Sequence, residues 1–229
     1  MMETRGTHIS GNARETILTA IRQNLAASES LDQVRGEHHH AGENRSSVPE
    51  QARAISQDAL IENFRVNLES VGGHCLIAKH ENEASDYLRG LISRRQMKRV
   101  ATSDSELVKR IVESIPDVEF IQNASADVLF ECDLGVTGAQ WAIAETGTLV
   151  LESEAESHRL TSLVPPVHLC ILNAGKIRQT LGEILESVGA ELSPTITFIT
   201  GASRTSDIEL TLAIGVHGPA ELHVIVIAD

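Results

Sequence analysis

The sequence has 229 residues, of which 41% are hydrophobic and 22% are charged, and its formal net charge is −13 at pH 7. Such a chain can bury a hydrophobic core, which excludes a wholly disordered protein. The excess of acidic residues argues against a nucleic-acid-binding protein, because such proteins need a basic surface. We expect a cytoplasmic protein without a membrane span, since no window holds about 18 consecutive apolar residues and the first residues lack the apolar core of a signal peptide.

The three cysteines, Cys75, Cys132 and Cys170, lie far apart in apolar stretches. This spacing is typical of buried thiols and not of a disulfide framework or of the four-cysteine sets that hold iron–sulfur clusters. The sequence also lacks the spacings of known metal-ligand motifs. We therefore expect no metal site and no cofactor bound by this chain.

The first quarter of the chain divides into two segments that precede a longer domain. Apolar residues recur at helical spacing within residues 1–26, which predicts an amphipathic helical segment. Residues 27–53 are mostly polar and predict a flexible linker. The His38–His40 triplet within this linker is expected to lie in a solvated loop. Residues 54–229 are predicted to form one α/β domain.

In the first half of this domain, helices alternate with short strands of mostly apolar residues. The predicted helices cover 55–73, 81–96 and 105–115, and the predicted strands cover 74–78, 98–103 and 118–122. Short apolar strands that alternate with helices are typical of a mainly parallel sheet. The predicted fold class is therefore α/β, with a mainly parallel sheet and helices on both faces.

The second half of the domain is predicted to contain more strands than helices. One or two helical turns are expected around residues 133–141, followed by two strands joined by a turn at 145–148. The remaining predicted elements are strand 167–172, helix 176–189, strand 195–200, a loop with a following helix, a glycine turn and strand 223–228.

The first candidate for chemistry is the predicted turn at residues 144–148. Gly147 permits a tight turn, whose backbone N–H groups can face a ligand together with the hydroxyl groups of Thr146 and Thr148. Glu145 stands between apolar residues and is a candidate buried carboxylate for general acid or base catalysis. The alternative is an ordinary β-turn in which Glu145 is solvated.

The second candidate is the loop at residues 200–209, which follows an apolar strand. A Gly/Ser/Thr turn that opens a helix can bind an anion at the helix N-terminus, and ligands of parallel sheets bind at the carboxyl ends of the strands. Arg204 is the only Lys or Arg among the last 50 residues and can clamp a carboxylate or phosphate. The alternative is a helix capped by Ser206 and Glu209, with Arg204 paired to a neighbouring acid. The candidate binding residues here are Gly201, Ser203, Arg204, Thr205 and Asp207.

The third candidate is the segment at residues 215–219, in which glycines flank a histidine. His217 in such a loop can reach a ligand or a carboxylate, with Gly218 beside it. The alternative is a helix C-cap in which His217 contacts the last carbonyl groups. His168 opens a predicted strand and is expected to stabilise a turn. Walker A, GxGxxG and GxSxG motifs are missing, which disfavours the corresponding nucleotide-binding and hydrolase functions.

Taken in order, these segments resemble the LUD-domain family. The stretches that carry the resemblance are AIAETGTLVL, the proline-rich turn before HLCIL, and TGASRTSDIELTLAIGVHGPAELHVIVI. The resemblance runs from around residue 55 to the end and is densest over 126–229. The loop of the family usually reads GPSRTADIE, whereas here Ala202 replaces the proline and Ser206 replaces the alanine.

The resemblance implies a fold similar to that of the sugar-phosphate isomerases and CoA-transferases. It also implies a role in the oxidation of L-lactate to pyruvate, as one subunit beside two iron–sulfur lactate utilization subunits that carry the clusters. A two-electron oxidation needs an acceptor, and this sequence has no flavin or nicotinamide fingerprint. The expected contribution of this chain is a pocket or a scaffold for a small carboxylate or phosphate ligand.

In such a pocket, Arg204 would clamp the carboxylate while Thr146, Thr148 and Ser203 donate hydrogen bonds. Glu145 or His217 would handle a proton as the catalytic group. Two other functions stay open from the sequence: a stand-alone isomerase or acyl-CoA-transferase-like enzyme with Glu145 as base or nucleophile, and a small-anion-binding module without catalysis.

Overall fold

The computed structural model describes residues 55–116, 118–153, 159–188, 193–206, 212–214 and 218–228, together with Thr19. The fold is built within the compact unit Ala54–Asp229. The predicted linker 27–53 with its His38–His40 triplet lies outside the described residues. Apart from Thr19, so does the predicted helical segment within residues 1–26.

The described residues form five α-helices and twelve β-strands. The helices are α1 (Gln57–Ser70), α2 (Glu81–Arg95), α3 (Glu106–Glu113), α4 (Ala126–Leu129) and α5 (Leu181–Val188). The strands are β1 (His74–Ala78), β2 (Arg99–Thr102), β3 (Glu119–Gln122), β4 (Leu134–Gly138), β5 (Trp141–Ile143), β6 (Thr148–Glu152), β7 (Val167–Asn173), β8 (Ile177–Arg178), β9 (Ile196–Ile199), β10 (Arg204–Ser206), β11 (Leu212–Ile214) and β12 (Glu221–Ile227).

The centre of the fold is a six-stranded sheet in the order β1-β12-β7-β4-β2-β3, and all of its neighbouring pairs are parallel. Strands β7 and β12 are buried along nearly their whole length, as continuous apolar runs in parallel sheets usually are. The predicted α/β class with a mainly parallel sheet is confirmed. A second sheet, in the order β8-β5-β6-β9, is mixed.

The large sheet is covered on both faces by apolar side chains. On one face, α2 and α3 supply Leu88, Leu91, Val108 and Ile111 to a common core. On the other face, α1 supplies Ile61, Phe64 and Leu68, which pack with Leu149 and Leu151 of the second sheet. The sequence predicted that helices alone cover the two faces of the large sheet. In the structure, helix α1 and the four-stranded sheet cover this second face together.

The helical turns expected at residues 133–141 are wrong, because β4 occupies Leu134–Gly138 in the middle of the large sheet. Val136 and Thr137 are β-branched and favour a strand. Gly135 has no side chain, and a Cβ atom there would overlap the carbonyl oxygen of Thr161. Burial between two strands thus outweighs the short local pattern that suggested a helix.

The helix that the loop at residues 200–209 was expected to open is wrong as well, since β10 and β11 form an antiparallel hairpin in which Ser206 pairs with Leu212. A capping signal is local and stabilises a helix only modestly. In the hairpin, the backbone groups of Ser206 find partners on the opposite strand instead. The predicted helix 176–189 also begins later, at Leu181, because Ile177 and Arg178 pair with β5.

Candidate functional site

A cavity of about 270 Å³ lies between the two sheets, where the loop after β9 meets the first residues of β7 and β12. Its volume is slightly below the range of about 300–1,000 Å³ that is typical of ligand pockets. None of the described lining residues carries a charged Asp, Glu, Lys or Arg side chain. The lining residues are Ser162, Leu163, His168, Phe198, Ile199, Thr200, Gly201, Ala202, Ser203, Gly218, Pro219 and Leu222.

The sequence predicted that the loop at residues 200–203 lies at the carboxyl ends of the parallel strands. In the structure, this loop faces their amino ends. The backbone N–H of Ser203 donates to the carbonyl oxygen of Pro219 at 2.8 Å, just before β12. The N–H of Ala220 donates to Pro166, just before β7, at 2.8 Å. β9 belongs to the mixed sheet, where it runs antiparallel to β6, so the loop after β9 does not follow a strand of the large parallel sheet.

A chain of threonine hydroxyl groups joins two of the predicted segments. The Oγ1 atoms of Thr146 and Thr148 lie 2.7 Å apart, and those of Thr148 and Thr200 lie 2.6 Å apart. Thr148 is buried, whereas Thr200 lines the cavity. The structure therefore brings the 144–148 turn and the 200–203 loop together, although they are more than fifty residues apart in the sequence.

The predicted turn itself is confirmed between β5 and β6, and it packs against the end of α1. The side-chain amide of Asn67 donates to the carbonyl oxygen of Ala144 at 2.8 Å. Gly147 has a φ of +65°, and a Cβ atom there would overlap the backbone of Leu68. Glycine is required at this position because both the conformation and the close approach exclude a side chain.

Glu145 is exposed to solvent, so the expectation of a buried carboxylate is wrong. Its backbone N–H donates to Gln179 at 3.1 Å, and Glu145 is not among the described residues that line the cavity. Ala144, which precedes Glu145, is buried, as are Ala142 and Ile143 of β5. Glu145 itself lies in the turn between β5 and β6, where its side chain faces solvent.

Arg204 is also exposed, and it is not among the described residues that line the cavity. Its guanidinium group lies beside Gly72, where a Cβ atom would overlap it, at the C-terminal end of α1. A cation is favourable there because the partial charge of a helix C-terminus is negative. Thr205 lies on β10 beside Arg204, while Asp207 and His217 fall outside the described residues.

His168 lies in a different environment from the one that the sequence predicted. It lies on β7 and is only 1% exposed, so the expectation that it stabilises a turn is wrong. Its Nε2 atom lies 2.8 Å from Oγ1 of Thr137 on β4. Its Nδ1 atom has no hydrogen-bond partner among the residues that the structure describes.

Burial lowers the pKa of His168 to about 3, with a smaller contribution from the nearby His223. The imidazole is therefore neutral at neutral pH, because burial in an apolar environment disfavours its charged form. One sequence signal pointed to this residue: a histidine within a continuous apolar strand must find polar partners once it is buried. Which partners it finds is decided by the neighbouring strand.

The described residues hold no group of three or more His, Cys, Asp or Glu side chains that could bind a metal ion. Cys132 and Cys170 are buried, and all three cysteines are free of disulfide bonds. Burial raises the pKa of the Cys75 thiol to about 12. No helix in the described ranges is long and apolar enough to cross a membrane.

Comparison with known families gives one match that covers most of the domain. The sequence profile of the LUD domain matches residues 61–227. These residues include the turn at 144–148, the loop at 200–203 and every described residue that lines the cavity. The match therefore covers the candidate site as a whole.

Two curated relatives carry the same name, lactate utilization protein C. The protein of Deinococcus radiodurans is 42% identical over 102 residues, which are 43% of this chain and 48% of that protein. The protein of an Exiguobacterium species is 26% identical over 228 residues, which are 94% of this chain and 96% of that protein. In the matches with higher identity, the chain spans about half the length of the curated relatives.

A solved structure shares the fold. The crystal structure of a DUF162 family protein from Deinococcus radiodurans aligns with a TM-score of 0.55 and 25% sequence identity. The alignment covers 76% of this chain and 99% of that chain. The similarity thus extends over nearly the entire solved chain.

Proposed function

The chain belongs to the LUD domain family, and from this we propose that it works in lactate utilization, as a subunit of a system that oxidises L-lactate to pyruvate. The observation that carries the proposal is the match to lactate utilization protein C of Exiguobacterium over almost the full length of both proteins. The Deinococcus relative of the same name supports it over a shorter region.

We propose that the cavity holds a small carboxylate, with phosphate as the alternative anion. Ser203, Thr200 and His168 place neutral hydrogen-bonding groups on its wall. Thr146 and Thr148 support Thr200 from behind through the chain of hydroxyl groups. Neutral dipoles can hold an anion when they are fixed before it binds, because the protein then needs little rearrangement.

Arg204 has a different role in this proposal from the one that the sequence suggested. It follows Ser203 directly in the chain, but its side chain lies beside the end of α1. Its charge therefore attracts an anionic ligand towards the loop without contacting it inside the cavity. Gly201 and Gly218 form the backbone walls next to Ser203. His217 and Asp207 belong to the same proposal on sequence grounds alone.

The redox centre is assigned to partner subunits that carry iron–sulfur clusters, within the cytoplasm. The three cysteines of this sequence are too few and too far apart for a four-cysteine cluster motif. The oxidation releases two electrons, which those clusters would accept. This chain then supplies a ligand pocket and a binding surface, and we assign no electron-transfer step to its own residues.

The proposal is tested by an anaerobic pull-down of the tagged full chain from lactate-grown source cells, followed by a lactate oxidation assay with a dye as electron acceptor. We expect activity to co-purify with iron-containing partners and to be absent from the chain alone. An untagged culture serves as the control. A chain that is recovered alone and inactive, under conditions that preserve such complexes, would contradict the proposal.

The alternative of a stand-alone isomerase or acyl-CoA-transferase-like enzyme is tested with the same protein. It requires Glu145 as base or nucleophile, and the exposed position of this carboxylate gives that role no support. Turnover of a phosphorylated sugar or an acyl-CoA by the isolated chain, abolished by Glu145→Gln, would favour the alternative. We expect no such turnover.

A further inference from the structure

The contact between His168 and Thr137 follows from the pairing of β4 with β7. His168 pairs with Gly135, and Thr137 lies two residues further along β4. Side chains two residues apart in a strand point to the same face, so Thr137 and His168 both face the second sheet. Both side chains are only 1% exposed. The hydrogen bond between them is therefore shielded from water.

A threonine hydroxyl can either donate or accept a hydrogen bond, and a neutral imidazole has one nitrogen of each kind. If the Thr137 hydroxyl donates to Nε2, then Nδ1 of His168 carries the proton and is a donor. If Nε2 donates to the hydroxyl, then Nδ1 is an acceptor. The same two side chains thus allow both states of Nδ1 without a change in charge.

Thr137 engages only Nε2 of the imidazole ring, and Nδ1 is buried without a partner among the described residues. His168 also lines the cavity. A buried polar atom without a partner is unfavourable unless a ligand or a water molecule satisfies it. This orphaned atom is a second observation, independent of the volume of the cavity, that points to a ligand.

We propose that Nδ1 of His168, backed by Thr137, binds the oxygen atom at C2 of both a 2-hydroxy acid and the corresponding 2-oxo acid. This inference rests on the proposed function, in which these two acids are substrate and product. Nδ1 accepts a hydrogen bond from the hydroxyl of the 2-hydroxy acid and donates one to the carbonyl of the 2-oxo acid. The low pKa of His168 keeps the ring neutral in both complexes, so the discrimination is by hydrogen bonding and not by charge.

The test uses the full chain and three acids that differ only at C2. Propionate has no oxygen there, L-lactate has a hydroxyl and pyruvate has a carbonyl. We expect L-lactate and pyruvate to bind about tenfold more tightly than propionate, because one hydrogen bond to a buried group accounts for a difference of that order. Titrations of protein with ¹⁵N-labelled histidine, followed by NMR, measure the affinities and the protonation of the His168 nitrogens together. We expect Nδ1 to be unprotonated with L-lactate and protonated with pyruvate.

Two variants separate ligand recognition from a structural role. His168→Gln places an amide near the position of Nε2, so it retains the contact with Thr137 but removes Nδ1. His168→Asn places an amide near the position of Nδ1 and loses the contact with Thr137. We expect the preference for L-lactate and pyruvate over propionate to disappear in the Gln variant and to persist in the Asn variant. A merely structural histidine would give the reverse order or no difference between the two.

Three results would overturn the inference: equal binding of all three acids, no binding of any of them, or the same tautomer of His168 with L-lactate and with pyruvate. All three are measured on the unmodified chain and do not depend on whether a variant folds. Failure here is distinguishable from failure of the proposed function. Lactate oxidation that co-purifies with a chain unable to bind these acids would overturn this inference and leave the subunit role intact. Recovery of an inactive chain without partners would instead contradict the subunit role.

Discussion

The buried state of His168 makes the stability of the protein depend on pH in a defined direction. Burial lowers the pKa of His168 in the folded protein from 6.5 to about 3. Below pH 6.5 the unfolded chain therefore gains a proton that the folded protein does not take up. The stabilisation is fully present above pH 6.5 and decreases as the pH falls from 6.5 towards 3.

The magnitude follows from the shift in pKa. Each pH unit between the two values is worth about 1.36 kcal/mol for one group. At pH 5, which is 1.5 units below the pKa of the unfolded chain, the loss is about 2 kcal/mol relative to neutral pH. The side chain is 1% exposed, so solvent screening reduces this value little.

The assay is urea unfolding at pH 7 and pH 5, monitored by circular dichroism and extrapolated linearly to water. The comparison is between the unmodified protein and His168→Gln, which does not titrate and can retain the contact with Thr137. All other ionisable groups are present in both proteins, and their contributions cancel. We expect the unmodified protein to lose about 2 kcal/mol more than the variant between the two pH values. The same pH dependence in both proteins would show that the burial of His168 does not cause it.

Three further predictions concern stability and are measured by thermal or urea unfolding. Gly135→Ala should destabilise the fold by about 2 kcal/mol or more, because its Cβ atom would overlap a backbone carbonyl oxygen that cannot move freely. The control is Gly175→Ala, where the added Cβ atom has open space around it. This control should change stability by less than about 0.5 kcal/mol. Phe64→Ala should lower the free energy of unfolding by about 3–5 kcal/mol, since Phe64 is completely buried. Phe130 is 76% exposed and should tolerate alanine. Equal losses of stability at both positions would contradict the described core. Thr148→Val should cost about 1–2 kcal/mol because it removes the hydroxyl that bridges two others, and an unchanged stability would show that this chain of hydroxyl groups contributes nothing.

Elements with a local or periodic signal can be predicted from the sequence alone. Leu68 and Phe64 recur at helical spacing, and α1 buries both of them. Continuous apolar runs predicted β7 and β12 and, with the intervening helices, a mainly parallel sheet. Gly147 marked a turn that does form between β5 and β6. In each case the local preference of the residues agrees with the arrangement that the whole fold adopts.

Where a local signal in the sequence is weak, the pairing of strands in the tertiary structure determines which element the segment forms. Gly135 sits in a central strand because two neighbouring strands take up its backbone groups. Ser206, which reads as a helix cap, pairs with Leu212 in a hairpin. The partners of Gly135 lie more than thirty residues away in the sequence, and Ser206 pairs with a strand only six residues further on, which a helix-capping pattern does not reveal.

The composition of the site was likewise decided by tertiary structure. Glu145 and Arg204 drew attention by their charge, yet both are exposed and neither is among the described residues that line the cavity. His168 lines the cavity, and the register of β4 and β7 places Thr137 against one of its ring nitrogens. Sequence spacing identifies which residues can do chemistry, but only the pairing of strands determines which polar atoms are buried together, because burial and hydrogen bonding depend on neighbours distant in the chain.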